Sequence, residues 1–391
     1  MIEEESRICI NCVKNKELKK YFKNSNLDIG ECLICGEHQL SIDIEKDLKI
    51  VALLKALIRY YYNEGQYNEI WGGYNLYDLL QEDNPILKNE FKYPQCLDVI
   101  VIALKEDSYV TSKNGIPLYR GYDLHSGYFA MNLQEENSVL INGFEERLKK
   151  ENQFKVEGDA LNLIRRFEKE ITSFIDQSKE LFRARIGYDQ KIFNHDMDSM
   201  DLTATEEREF FVPFIDEQIG SPPPPKAQPA RLSRAGISYV YLASKKDTAI
   251  AEIRPHPGHY ISVGKFRLNG RLKFADFRNI SIMDFFESED DIENFLFLNN
   301  IGKKLSIPIT PEEREKYLFT QFITEVIRQA GFVGVIFKSS VGNGHNVVVF
   351  DSDNVEYLEG TGEVIEVESL KYKIINRQVE NSPNKVTHTV I

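Results

Sequence analysis

Basic residues are in short supply. The 391-residue chain carries 48 Lys and Arg against 61 Asp and Glu, a formal net charge of -13. Nucleic-acid binding normally shows a basic patch or stripe, and none dominates here, so no nucleic-acid partner is expected. Long hydrophobic runs are missing as well. The longest apolar stretch, Ile50 to Ile58, is interrupted by Lys55. It falls well short of the roughly 20 residues that span a bilayer, and no membrane association is expected. The first residues, Met-Ile-Glu-Glu-Glu-Ser-Arg, have neither a basic nor an apolar segment, which predicts no secretion signal and a cytoplasmic protein. Cysteines number only five, and in a reducing cytosol they call for a use other than disulfides. What remains is ordinary for a globular chain, at 42% hydrophobic and 28% charged residues, and the length predicts two or more domains.

Four of the five cysteines, Cys9, Cys12, Cys32 and Cys35, form the pattern C-x2-C-x19-C-x2-C. This spacing predicts a zinc-ribbon-like structural module over 1–42, because each pair offers two thiolates to one tetrahedral metal. Gly36 suits the turn after the second pair. His38 is not needed, since four thiolates fill the shell. Cys96, beside Leu97, Val99 and Ile100, reads as a small core residue. Residues 43–176 read as a mainly helical region with helices near 44–64, 137–151 and 157–180, the last from Leu161, Ile164, Phe167, Ile171 and Phe174. The aromatic stretch Asn63 to Tyr77, with Trp71, reads as packing of this region. Arg120 and His125 match an R-x4-H ribonuclease spacing, but breakers around them argue against the helix it needs.

After about residue 178 the texture becomes α+β, with strands expected at 181–186, 238–243, 260–267, 333–338 and 346–351. Gly220-Ser-Pro-Pro-Pro-Pro reads as a stiff segment. A helix over 310–331 is signalled by Thr310, Pro311 and Glu313 at its start and Gly331 at its end. The last residues, Val379 to Ile391, are polar. Three clusters carry chemistry. Phe182-Arg183-Ala184-Arg185 places two guanidinium groups on a strand. Ala230-Arg231-Leu232 opens an Arg–x4–Gly–x4–Tyr series ending at Tyr241, followed by Ala249-Ile-Ala-Glu252. Gly334-Val-Ile-Phe-Lys-Ser339-Ser340-Val-Gly342-Asn-Gly344 forms a glycine-punctuated turn between apolar strands.

Taken alone, each cluster has a bland reading as a solvated arginine, an exposed helix glutamate or a turn serine. Their order resembles the RES domain, a family named for its arginine, glutamate and serine. The resemblance covers residues 178–355 and extends to the cysteine-paired, HEPN/RES-type N-terminal region joined to some long RES proteins. It implies a C-terminal catalytic domain over 177–391 with an ADP-ribosyltransferase-like split mixed sheet around an NAD+ cleft. It also implies a toxin that breaks the nicotinamide–ribose bond of NAD+ by hydrolysis or phosphorolysis. Glu252, Arg231 and Ser339 match the catalytic set, and Arg183, Tyr241, Ser340 and Gly342 the substrate-binding positions. Ala230 and Leu232 depart from the usual flanks of the second arginine, and the doubled serine leaves Ser339 and Ser340 both open.

The residue types suit that reaction. A carboxylate stabilises the positive charge that builds on the ribose. Arginines clamp a pyrophosphate bidentately. Tyr241 can stack on nicotinamide. Glycines 342 and 344 would let backbone amides approach an anion. No metal is needed, so the zinc is read as structural. The resemblance implies a toxin–antitoxin or antiviral-defence setting, with an antitoxin or trigger protein and a homo-oligomer as candidate partners. ADP-ribosyl transfer to a macromolecule, and a non-catalytic zinc-dependent docking protein, stay open as alternatives.

Overall fold

The computed structural model describes residues 6–92, 95–105, 115–121, 129–195, 207–307, 317–371 and 374. His125, the capping residues Thr310, Pro311 and Glu313, and the segment Val379 to Ile391 lie outside the described residues. Two compact units emerge. One takes the described residues up to Asn142 together with Ile280–Asn300, and the other takes Gly143–Asn279 and those from Ile301 onward.

In the first unit, strands β1 (Arg7–Cys9), β2 (Asp28–Glu31) and β3 (His38–Asp43) form an antiparallel sheet in the order β1-β3-β2, with helix α1 (Lys16–Asn24) between β1 and β2. Asn15 caps α1 by accepting from the Glu17 and Leu18 amides. Helix α2 (Leu48–Tyr61) is apolar on most faces and is buried over Ile50 to Arg59, including Lys55. Short helices α3 (Glu64–Tyr67) and α4 (Leu76–Gln81) and helix α5 (Gln95–Lys105) follow. The aromatic stretch divides its labour. Tyr67 is buried and donates to the Leu118 carbonyl, whereas Trp71 is 59% exposed and meets the Phe129 ring in a T-shaped arrangement. Cys96 is half-buried on α5, and Leu97 and Ile100 take the core positions instead. Arg120 pairs with Glu136 at 2.6 Å. Helix α6 (Val139–Lys150) begins in this unit.

The second unit opens differently from the sequence expectation. Helix α7 spans Gln153–Arg166, α8 spans Glu168–Ile171, and the chain then enters strand β4 (Thr172–Ile175) instead of continuing as helix to 180. Val156, Ala160 and Ile164 are buried on α7, but Phe174 is half-exposed under the Arg271 guanidinium. These helices therefore belong with the C-terminal unit, not with a separate region ending at 176. Helical periodicity reveals an apolar face but not which core that face meets.

Strands β5 (Leu181–Ile186), β6 (Gln190–His195), β7 (Glu207–Val212) and β8 (Val240–Ala243) lead to helix α9 (Lys246–Glu252). Strands β9 (Tyr260–Leu268) and β10 (Leu272–Asp276) precede helices α10 (Glu289–Ser306) and α11 (Tyr317–Gln329). Strands β11 (Gly334–Lys338), β12 (His345–Val349), β13 (Val355–Tyr357) and β14 (Glu363–Glu366) complete the described elements. The main sheet runs β13-β9-β5-β8-β12-β11-β10-β4, with β14 also on β9, while β6 and β7 form a separate hairpin. The β10–β11 pair is parallel and the others are antiparallel, so the fold is α+β around a mixed sheet. Its core is made by Leu181, Val240, Leu242, Phe266, Phe274, Ile336, Val347 and Val349.

Candidate active site

Four strands lay one row of side chains across the sheet. Phe182 on β5 pairs with Ala243 on β8, Ala243 with Asn346 on β12, and Asn346 with Phe337 on β11. This row forms part of the lining of a cavity of about 460 Å³, together with Arg183, Ala230, Arg231, Tyr241, Glu252, Arg254 and Tyr317. That volume is ordinary for a small-molecule site, and apolar rings interrupted by a few polar groups are its usual lining. The sequence explains why helix α9 comes so close to the row. Ala184, Ala243 and Ala249 form a buried cluster with Ile261 and Val263, and small side chains at the contact let the helix sit low on the sheet.

Glu252 is the last residue of α9, and its carboxylate is loaded on one side. Ser339 Oγ donates to Oε1 at 2.7 Å, and Asn346 Nδ2 donates to the same oxygen at 2.7 Å. Oε2 accepts no hydrogen bond from the described residues. Ser339 is itself held, because its Oγ accepts from the amides of Gly342 (3.0 Å) and Val341 (3.2 Å). The chain from backbone amides to hydroxyl to carboxylate therefore has one consistent direction. Ser340 is exposed and lies outside this chain of hydrogen bonds.

Arg183 lies within hydrogen-bond reach of the cavity wall and is used there. Its Nε donates to the Ile219 carbonyl (2.6 Å) and an Nη to the Tyr241 carbonyl (2.9 Å). Burial, with Arg185 beside it, lowers this guanidinium to about 10, which leaves it cationic at neutral pH. Arg231 donates to the Leu305 carbonyl (2.5 Å) and to the Ser306 carbonyl (3.3 Å) at the end of α10, where a cation also meets the negative end of the helix dipole. Tyr241 lines the cavity, and its hydroxyl accepts from the Leu232 amide at 3.4 Å. Burial raises its phenol above the usual value.

Glycines 342 and 344 lie close against α9. A β-carbon at Gly344 would lie 2.5 Å from Thr248 Oγ1, and one at Gly342 would lie 2.8 Å from the same atom. With no side chains there, the turn can press against α9, on which Glu252 sits. Asn346, Phe182, Phe337, Tyr317 and Arg254 were not singled out from sequence as site residues. Asn346 left a readable signal, as a polar residue opening the apolar strand His-Asn-Val-Val-Val that is nonetheless buried.

The four paired cysteines come together in the first unit. Their Sγ atoms lie within 4.8 Å of one another, and Cys9 and Cys35 are 3.8 Å apart. That is about the edge of a tetrahedron with metal–sulfur bonds of ~2.3 Å, so this donor set fits a metal. Gly36 takes φ 67 in the turn after Cys35. Hydrogen bonds from Cys12 and from the amides of Cys35, Cys9 and Ile34 hold the Cys32 thiol down at about 4, and burial with the Cys32 charge pushes Cys9 up to about 11.

The second unit is thus an α+β fold whose pocket joins a hydrogen-bonded carboxylate to braced arginines. Residues 206–366 match the family model for the RES domain. Arg231, Tyr241, Glu252 and Ser339 fall within the match, and Arg183 precedes it. No curated protein matches the chain. Among solved structures, the crystal structure of the M. tuberculosis MbcT-MbcA toxin-antitoxin complex is similar over 52% of this chain and 91% of its own, at 10% identity and a TM-score of 0.29. No described helix is long and apolar enough to cross a membrane.

Proposed function

We propose that the RES domain of this chain cleaves the nicotinamide–ribose bond of NAD+. The observation that carries this reading is the Glu252 carboxylate, which lines the cavity, takes Ser339 and Asn346 on Oε1 and has no hydrogen bond on Oε2 from the described residues. In the reaction the bond's electron pair leaves with nicotinamide, which departs neutral, and positive charge builds on the ribose. Glu252 stabilises that charge and holds the ribose hydroxyls, as carboxylates do in other glycosidic cleavages. The two donors fix the carboxylate before the charge develops, so little reorganisation is needed at the transition state. Phe182, Tyr241 and Phe337 supply ring faces for the flat nicotinamide. Water as acceptor gives ADP-ribose and a proton, and phosphate gives ADP-ribose 1″-phosphate.

Loss of NAD+ halts growth, so the chain is read as a toxin kept in check by a protein antitoxin or released by a trigger. The first unit is read as the regulatory part, with a structural zinc on Cys9, Cys12, Cys32 and Cys35. The test is to incubate the purified chain with NAD+, with and without phosphate, free of any bound partner. Nicotinamide release is expected, and Glu252→Gln should lower its rate about 100- to 1,000-fold, the scale of losing a main electrostatic stabiliser. Ser339→Ala should impair release and Ser340→Ala should not. Absence of release in the unaltered chain would overturn the reading, and ADP-ribose appearing on protein or nucleic acid would reassign it to transfer.

A further inference from the structure

Both arginines that the sequence brought to the pocket spend donors on its walls, Arg183 on the carbonyls of Ile219 and Tyr241 and Arg231 on those of Leu305 and Ser306. Arg254 is placed otherwise. It lines the same cavity, it is exposed, and its guanidinium has no hydrogen-bond or ion-pair partner among the described residues. The residue therefore sits at the rim with a full set of donors unused.

Its backbone sets it apart as well. Arg254 has φ 48 and is one of two non-glycine residues in the left-handed region among the described residues. It follows the last turn of α9, where its amide donates to the Ala251 carbonyl at 3.1 Å. Glycine is the residue that helices usually place here, because an L side chain crowds the following carbonyl. Pro255 comes next, and a residue before proline is pushed toward extended conformations. Arg254 satisfies neither preference. A cation serving only the helix dipole could sit in the last turn of α9 without this strain, and strain kept at the lip of a pocket points to a ligand.

We propose that Arg254 binds the phosphates of the substrate at the cavity mouth while Glu252, two residues earlier, holds the ribose within. The planar fork matches a phosphate bidentately, and in an acidic chain a single unpaired guanidinium gives an anionic ligand a local point of attraction. The site then selects a phosphorylated nucleotide over the corresponding nucleoside. The assignment rests on the NAD+-cleaving reading of this pocket.

Calorimetry on the full chain tests it, using ADP-ribose, which carries the pyrophosphate but no scissile bond, and nicotinamide riboside, which carries no phosphate. In Arg254→Gly the guanidinium is lost while the backbone gains the residue its φ favours, so the thermal midpoint should not fall. ADP-ribose affinity should drop about ten- to hundredfold, the scale of a lost charged hydrogen bond. Arg254→Lys should recover part of it, and nicotinamide riboside should bind all forms alike. Unchanged ADP-ribose affinity in Arg254→Gly overturns the proposal. So does an equal loss for both ligands, or no ADP-ribose binding by the unaltered chain. Nicotinamide release from NAD+, measured in parallel, reads the parent hypothesis separately. Release with Arg254-independent binding sinks only the Arg254 assignment, and Arg254-dependent binding without release sinks only cleavage.

Discussion

At the scale of single residues, the site works through the direction of its hydrogen bonds. Glu252 accepts twice on Oε1, Ser339 accepts from two amides and donates once, and Asn346 donates from a buried strand. Glu252 and Ser339 were singled out in the sequence because an ordered set of motifs marked them. Asn346 showed only as a polar residue in an apolar strand, because its partner is known only once α9 is placed on the sheet. Nearby, His345 shows a second residue-scale effect. Burial, reinforced by the charges of Arg278, Lys179 and Lys245 against that of Asp276, lowers its imidazole from 6.5 to about 4. Arg278 reaches the ring at 3.2 Å and pairs with Asp276 at 2.6 Å. Between pH 6.5 and 4 the unfolded chain therefore binds a proton that the native one refuses. The His345 contribution to stability is whole above about pH 6.5 and drains away as the pH falls toward 4. Denaturant midpoints measured across this range should fall with pH, and His345→Gln should flatten that part of the slope. An unchanged slope would mean that the ring titrates alike in both states.

Elements explain why those residues meet. Helix α9 is only seven residues long, and it is positioned by what lies beneath and beside it. Alanines on β5 and β8 lower it onto the sheet, and the glycine turn after β11 closes against Thr248. Gly344→Ala is expected to force the turn and helix apart. The cost should be about 1–3 kcal/mol, typical of overpacking a tight contact, read as a lower denaturant midpoint. Nicotinamide release should fall as well, because Ser339 and Glu252 sit on the two elements being separated. A Gly344→Ala chain as stable and active as the original would remove this account of the glycines. The strands at 181–186, 260–267 and 333–338 were legible from apolar runs and appear within a residue or so of the expected bounds. Strand β4 was not, because Ile171 and Phe174 continue a helical spacing across a break that only pairing with β10 creates.

At the scale of the whole molecule, the two units divide the chemistry. The cysteine group belongs to one and the carboxylate pocket to the other. Cys32→Ser should abolish metal binding, read by atomic emission, and lower the melting temperature of the first unit, since a structural zinc contributes folding energy outright. Nicotinamide release by the metal-free chain should persist if the metal is structural only, and its loss on chelation would assign the first unit a direct hold over the pocket.

The sequence by itself determined the paired-cysteine spacing, the apolar runs that become most sheet strands, and the ordered arginine, glutamate and serine. These are properties of residue type and spacing along the chain. Tertiary structure decided which serine faces Glu252, that Asn346 completes its hydrogen bonding, and that Arg183 and Arg231 brace the walls. It also left Arg254 at the rim without a partner among the described residues and joined α7 and α8 to the C-terminal unit. Each of these depends on which distant groups compete for a side chain's donors and on which core receives an apolar face. Spacing along the chain carries neither kind of information.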